Sequence, residues 1–259
     1  MVLFAKRDGE SLRTVDQDAL WSSSAISRLP ASPSLIGNGS GLYGLQESLL
    51  FLVTTEATSV RMDALRWLSE FSRLSPTVRV SMRQIAANEG EPLAKRVAAL
   101  GVLMRQPQPD DVKIVAGLAV RHGTELADPA YASVTRLVGL PGDPQMLDSL
   151  VTIATASGTP QRWRSSALGA LRRLRTPAAI PAFILSLDNP DENVQHGAVM
   201  ALAELMGKGG EEYGPGAAAF SRNPGYATEH WKAWWRDEGK HFYEARMQPG
   251  SEKSINQRK

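Results

Sequence analysis

The residues of this chain that could carry out chemistry are few and lie far apart. No histidine belongs to an HExxH motif or a His-Glu pair, so the sequence predicts no metallohydrolase helix. The glycines of residues 207–216 precede no Lys-Ser or Lys-Thr pair at a helix start, which a phosphate-binding loop requires. The chain has no cysteine, which excludes thiolate catalysis, disulfides and cysteine metal sites. The histidines are His122, His196, His230 and His241. We therefore expect no catalytic residues, no metal and no cofactor, in a protein that is not an enzyme.

Paired acidic residues have a structural explanation. Asp110-Asp111 and Asp191-Glu192 fall at predicted helix starts, where carboxylates interact favourably with the helix dipole. A third pair, Glu211-Glu212, lies in a glycine-rich segment. We interpret the first two pairs as helix-start residues rather than as acid–base pairs.

Prolines divide the chain into short apolar-periodic segments of helical length. A helix start suits proline, because the first-turn N–H has no partner within the helix and the fixed φ is already helical. Several of these prolines follow a Ser, Thr, Asp or Asn that is suited to cap the helix. The prolines are Pro76, Pro92, Pro109, Pro129, Pro144, Pro160, Pro177 and Pro190. These regularly placed helix starts predict stacked helical hairpins.

The chain also repeats itself. The small inward residue of each second helix recurs every 31–36 residues, a period typical of helical solenoids. Each hairpin alone leaves an apolar face bare, so stacking must supply the core. The register of the second repeat turns Leu93, Leu100 and Leu103 toward solvent, and a slip of one or two residues there stays open. The anchors are Ala64, Ala98, Val134, Ala167 and Ala198.

Residues 176–207 resemble a HEAT repeat, particularly the short bacterial kind also found in relatives of phycobilin lyases. The motif runs through Ile180-Pro181, Leu187-Asp188, Asp191, Val194, Ala198 and Ala201-Leu202. The resemblance covers residues 44–208. It implies an all-α, right-handed solenoid of about five hairpins. Arg61, Lys95 and Arg164 occupy a position where the family usually has arginine, and Gln195 departs from it. We expect this ladder to pair with acids in adjacent repeats.

The two ends of the chain differ from the repeats. Residues 1–43 are rich in Ser, Gly and Pro and predict an irregular lead-in to the solenoid of residues 44–208. Residues 209–245 predict a Trp-rich helical cap, and residues 246–259 a disordered tail. The tryptophans, Trp231, Trp234 and Trp235, share one helical face with Phe242. We expect this helix to cover the apolar end of the solenoid, and an aromatic ligand box is the alternative.

Composition is that of a helical protein with a sizeable core, with 42% hydrophobic and 22% charged residues among 259. The formal charge of +2 does not by itself imply nucleic acid. No apolar run approaches the roughly 18 residues that span a bilayer, so we expect no membrane association. If Met1 is the true start the protein is expected in the cytoplasm, and export is possible if a signal peptide was removed.

A basic face on the second helices is the one pattern that points to a ligand. In a HEAT-like solenoid these helices line the concave surface, and basic residues turn away from each apolar stripe. Such a stripe would attract an acidic protein, a nucleic-acid backbone or another polyanion. The alternative is that the arginines only solvate the helices and pair between repeats. The candidate binding residues are Arg66, Arg73, Arg96, Arg136, Arg162, Arg172 and His196.

We therefore expect a non-enzymatic scaffold that binds a protein partner through its concave face. The alternative is a polyanion or DNA-backbone binder with a basic groove, similar to the HEAT-like alkylpurine DNA glycosylases. A bilin lyase or isomerase is a third possibility, based on repeat similarity alone. The sequence does not indicate an oligomeric state.

Overall fold

The computed structural model describes residues 2–4, 13–15, 41–55, 58–123, 125–127 and 140–247. Helices make up most of this part of the chain, and they pack in neighbouring pairs, which confirms the all-α prediction. Within the predicted lead-in, β1 (Val2–Phe4) and β2 (Arg13–Val15) form a small antiparallel ribbon in which Leu3 lies opposite Thr14. The predicted tail from residue 248 onward lies outside the described residues.

The chain divides into two compact units, residues 1–114 and 115–259. The boundary falls inside a helix, between Ile114 and Val115. The division into lead-in, solenoid, cap and tail stays a prediction.

Unit 1 is built from paired helices. Its helices are α1 (Gly41–Thr55), α2 (Thr58–Ser69), α3 (Pro76–Ala87), α4 (Leu93–Met104) and the first part of α5 (Pro109–Arg121). α1 packs against α2, and α3 packs against α4. In addition, α1 contacts α3 and α2 contacts α4. First helices therefore stack on first helices and second helices on second helices, as in stacked hairpins.

The core of unit 1 corrects the predicted register of α4. Ala64 on α2 is fully buried, as predicted, but on α4 the fully buried alanine is Ala99, and Ala98 is only half-buried. Because one residue turns a helix by about 100°, this slip carries Leu100 and Leu103 into the core. The predicted helix register of the second repeat is therefore wrong by one residue.

Unit 2 repeats the same arrangement. After the second part of α5 and a 3-10 turn at Glu125–Ala127, its helices are α6 (Leu147–Thr155), α7 (Gln161–Leu174), α8 (Ile180–Ser186) and α9 (Glu192–Met206). Further 3-10 turns at Pro144–Met146 and Pro177–Ala179 lead into α6 and α8. α6 packs on α7 and α8 on α9, while α6 contacts α8 and α7 contacts α9. The anchors Ala167 and Ala198 are fully buried, and Val134 lies outside the described residues.

Prolines begin helices at some of the predicted places and not at others. Pro76 follows Ser75, whose hydroxyl accepts the Val78 N–H at 3.2 Å, and Asp143 and Thr176 cap the 3-10 turns in the same way. Pro92 and Pro160 instead occupy the cap position, so their helices begin one residue later. Beyond Pro190, Asp191 is the cap of α9. Pro129 lies outside the described residues.

The C-terminal part of unit 2 packs against the last hairpin. It consists of α10 (Ala217–Arg222), α11 (Pro224–Trp234), a π-helical turn at Trp235–Gly239 and α12 (Lys240–Met247). α11 contacts α9, and α12 contacts the 3-10 turn that precedes α8. The contact with α9 is the one that the cap interpretation predicts.

Candidate binding surface

In unit 1 two of the predicted basic residues are exposed. Arg66 on α2 has a side chain 74% exposed, and its Nη2 lies 3.4 Å from Oδ1 of Asp63. Arg73 is exposed in the loop that follows α2. The buried Gln46 amide holds this loop, since its Nε2 donates to the Arg73 carbonyl at 2.8 Å and its Oε1 accepts from the Ser75 N–H at 2.7 Å.

Arg96 is not a surface residue, and its assignment to the basic face is wrong. It is only 5% exposed, and its Nε donates to the carbonyl of Ala86 at the end of α3, at 3.4 Å. The one-residue slip of α4 explains this, because Arg96 stands three residues before the true anchor Ala99. Arg96 therefore takes the ladder position that the sequence assigned to Lys95.

The corrected ladder consists of long polar side chains three residues before each anchor. Three of them bond to their own hairpin: Arg96 to Ala86 as described, Arg164 through its Nη2 to the Thr159 carbonyl at 3.3 Å, and Gln195 through its Nε2 to the Asn189 carbonyl at 2.7 Å. Gln195 thus makes the kind of bond that Arg164 makes. Lys95 likewise pairs within its hairpin, with Glu91 at 2.9 Å, so the predicted pairing with acids of adjacent repeats is wrong for Lys95 and Arg164, and for Arg61 it stays a prediction. The ladder residues are Arg61, Arg96, Arg164 and Gln195.

In unit 2 two of the predicted binding residues already have partners. Arg172 on α7 forms a two-bond ion pair with Glu204 on α9. His196 Nε2 lies 2.9 Å from the carbonyl oxygen of Pro215, and its ring packs against Phe220. These contacts join α9 to α7 and to the segment that follows α9. Arg136 lies outside the described residues.

Arg162 is exposed near the start of α7, and Arg173, which was not predicted as a binding residue, is a second exposed arginine on the same helix. α7 and its cap carry five arginines and no acidic residue between 161 and 175. Positions 162, 166, 169 and 173 follow one face of the helix, since they are spaced by four, three and four residues. Arg162 and Arg173 are exposed at the two ends of this face, with Ser166 and Gly169 between them. The sequence contains this spacing, but the predicted basic face includes Arg172 in place of Arg173.

The environment of Arg173 orients its side chain. Its Nη2 donates to the Leu140 carbonyl, and Gly142 of the same loop lies so close that a Cβ there would be 3.0 Å from the Arg173 Cβ. The ion pairs of the described residues include neither Arg162 nor Arg173. No carboxylate of the described residues therefore compensates their charges at the surface of α7.

A third arginine, Arg175, ends α7 in the left-handed conformation, at φ 49° and ψ 36°. Glycine usually takes this position, because other residues are strained there. Together Arg172, which donates the hydrogen bonds, and Arg175 hold the pKa of the Glu204 carboxyl below its ordinary value.

Asp110 and Asp111 lie in the first turn of α5, which confirms their predicted structural role. Asp111 is fully buried and accepts bonds from Arg79, from Arg83 Nε at 2.6 Å and from the Gln108 N–H at 2.9 Å. The last bond is a capping-box contact that reaches back to the residue before the helix. This network joins the first turn of α5 to α3 within unit 1.

The tryptophans of α11 are packing residues. Trp231 is fully buried and its Nε1 donates to the Tyr213 carbonyl at 2.8 Å. Its ring meets that of Trp234 edge-on, with centroids 5.3 Å apart. Gly239 in the π-helical turn lies against Trp234 and Trp235, where a Cβ would come within 2.8 Å of either ring. Trp231 and Trp234 therefore pack inside unit 2, and the cap interpretation stays a prediction.

Among the described residues, no group of three or more His, Cys, Asp or Glu side chains is arranged to hold a metal ion. None of the described helices combines the length and the apolar character needed to cross a membrane. The chain matches no family model, and no curated protein is similar to it in sequence.

Proposed function

We propose that this protein is a non-enzymatic scaffold of HEAT-like helical hairpins that binds an acidic protein partner through exposed faces of its second helices. In this proposal the hairpins form the right-handed solenoid of about five repeats that the sequence resemblance implies. The stacking of first on first and second on second helices within each unit supports it.

The observation that carries the proposal is the surface of α7. Two exposed arginines share one face of a helix that has no acidic residue, and the described residues offer neither of them a carboxylate. Such a face attracts anionic groups, and guanidinium groups bind carboxylates in fork geometry.

Unit 1 contributes less to this proposal. Asp63 offsets Arg66, and Glu70 lies 3.6 Å from Arg105 on the neighbouring second helix. Among the basic side chains that the structure describes in unit 1, only Arg73 is exposed without a described acidic neighbour. We therefore assign the larger share of binding to α7.

The test is a binding measurement with the purified partner. The partner is isolated from the native host by cross-linking and identified by mass spectrometry. Its affinity is then measured for the wild type, for Arg162→Glu/Arg173→Glu, and for Arg222→Glu, which reverses an exposed arginine on α10. The proposal requires that the first variant lose at least about tenfold in affinity and the control little. Equal affinities would contradict it.

A nucleic-acid backbone is the second candidate, because phosphates would also bind exposed arginines without acidic neighbours. Duplex DNA of random sequence separates the two. Backbone binding would weaken with salt at a log–log slope of about −0.9 per phosphate neutralised. Binding at physiological salt that the Arg162→Glu/Arg173→Glu variant loses would favour nucleic acid over an acidic protein.

A further inference from the structure

The arrangement of arginines on α7 restricts the shape of the partner, an inference that depends on the proposed function. Arg162 and Arg173 stand eleven residues apart on the same face, which is about 16 Å along a helix that rises about 1.5 Å per residue. An extended chain turns successive side chains to opposite faces, so residues about four positions apart, about 13 Å at about 3.3 Å each, present their side chains to the same surface. The long, flexible arginine and glutamate side chains cover the remaining few ångströms.

The surface between the two arginines carries only small side chains. Ser166 and Gly169 are the residues between them on this face, and a Cβ on Gly169 would meet only the Arg173 guanidinium, at 3.7 Å. This face offers no large apolar side chain against which a partner helix would pack. An extended backbone can approach it closely, since the Ser166 hydroxyl can hydrogen-bond to a peptide group.

The neighbouring arginine is already neutralised. Arg172, next to Arg173 in sequence, is held by Glu204. Arg173 has its Nη2 on the Leu140 carbonyl, which leaves its other guanidinium N–H groups for a ligand. The two ends of the face are therefore single, separate positive charges.

We propose that α7 binds an extended acidic segment of the partner protein, with one carboxylate on Arg162 and a second, about four residues away on the same face of the segment, on Arg173. Charge complementarity supplies the recognition, and the spacing of the two arginines supplies the specificity.

The experiment is a double-mutant cycle between the full-length protein and blocked, fluorescently labelled peptides, measured by anisotropy at low salt. The parent peptide has Glu at its first and fifth positions, which lie on one face of an extended chain, in a Gly/Ser background, and each Glu is also replaced singly by Gln. The protein variants are Arg162→Gln and Arg173→Gln, with Arg222→Gln as the matched control.

We expect each arginine to couple to one glutamate only. Loss of a single exposed ion pair should weaken binding about threefold to fivefold. Arg162→Gln should then make the peptide insensitive to one Glu→Gln change, and Arg173→Gln to the other. Arg222→Gln should leave both effects in place.

Three outcomes would overturn the inference: no binding above that of a peptide with Gln at both positions, equal coupling of both arginines to either glutamate, or equal affinity when the two glutamates are adjacent. If one of these occurs while the isolated partner still loses affinity for Arg162→Glu/Arg173→Glu, the proposed function stands and only the extended geometry fails. If the partner too is indifferent to those substitutions, both fail.

Discussion

The guanidinium of Arg172 on α7 and the carboxylate of Glu204 on α9 form a two-bond ion pair between stacked second helices, with Nε 2.9 Å from Oε2. Each side chain is more than a third exposed, at 39% for Arg172 and 34% for Glu204. The pair therefore ties α7 to α9 with a contribution that solvent screens.

The pH dependence of this contribution has a defined sign. The hydrogen bonds from Arg172 lower the pKa of Glu204 below its ordinary 4.5, so the folded protein binds the proton less tightly than the unfolded chain. The stabilisation is present above that value and is lost as the pH falls through the lowered pKa. We expect Glu204→Gln to reduce the free energy of unfolding by up to about 1 kcal/mol at neutral pH.

Urea unfolding of wild type and Glu204→Gln across acidic pH checks this. The difference in the free energy of unfolding between the two proteins should shrink steadily below pH 4.5. A constant difference down to the most acidic pH at which both stay folded would show that the ion pair is not its source.

The buried carboxylate of Asp111 should matter far more than its exposed neighbour Asp110. Asp111→Ala leaves the buried Arg79 without its counter-charge, and breaking a buried pair in this way costs about 3–5 kcal/mol. Asp110→Ala removes a surface pair with Lys113 that solvent screens, and it should leave the free energy of unfolding nearly unchanged. Denaturant unfolding of the two variants measures the contrast, and similar values would mean that Asp111 is solvated.

The sequence predicted the helical class, the stacked hairpins and most of the buried anchors, because apolar periodicity and helix caps are local signals. It misplaced Arg96, because Ala98 and Ala99 are adjacent identical residues and either one fits the periodic pattern. It also counted Arg172 as free, since its partner Glu204 is 32 residues away and only the stacking of α7 on α9 brings the two together. Pairings of this kind depend on tertiary geometry that no local pattern contains.

Two glycines should respond to alanine in opposite directions. Gly158 has φ +78°, and a Cβ there would lie 2.9 Å from the backbone of Gly123, so Gly158→Ala should destabilise by about 1–3 kcal/mol. Gly197 lies inside α9 with open space around its Cα, so Gly197→Ala should stabilise by about 0.5–1 kcal/mol. The urea midpoints of the two variants, compared with that of the wild type, measure both changes in stability. A destabilised Gly197→Ala protein would indicate that this surface of α9 is covered.

The bond between Trp231 and Tyr213 should fasten the C-terminal helices to the rest of unit 2. Trp231→Phe removes the donor to the Tyr213 carbonyl and leaves a gap in a fully buried site, which should cost about 2–3 kcal/mol. Trp235→Phe makes the same chemical change at a half-buried ring and should cost less than about 1 kcal/mol. Urea unfolding gives both values, and limited proteolysis within residues 207–216 should quicken only in Trp231→Phe, because Tyr213 lies in that segment. If both variants unfold at the same urea concentration, the Trp231 bond does not hold the cap, and an open aromatic site at α11 becomes the better interpretation.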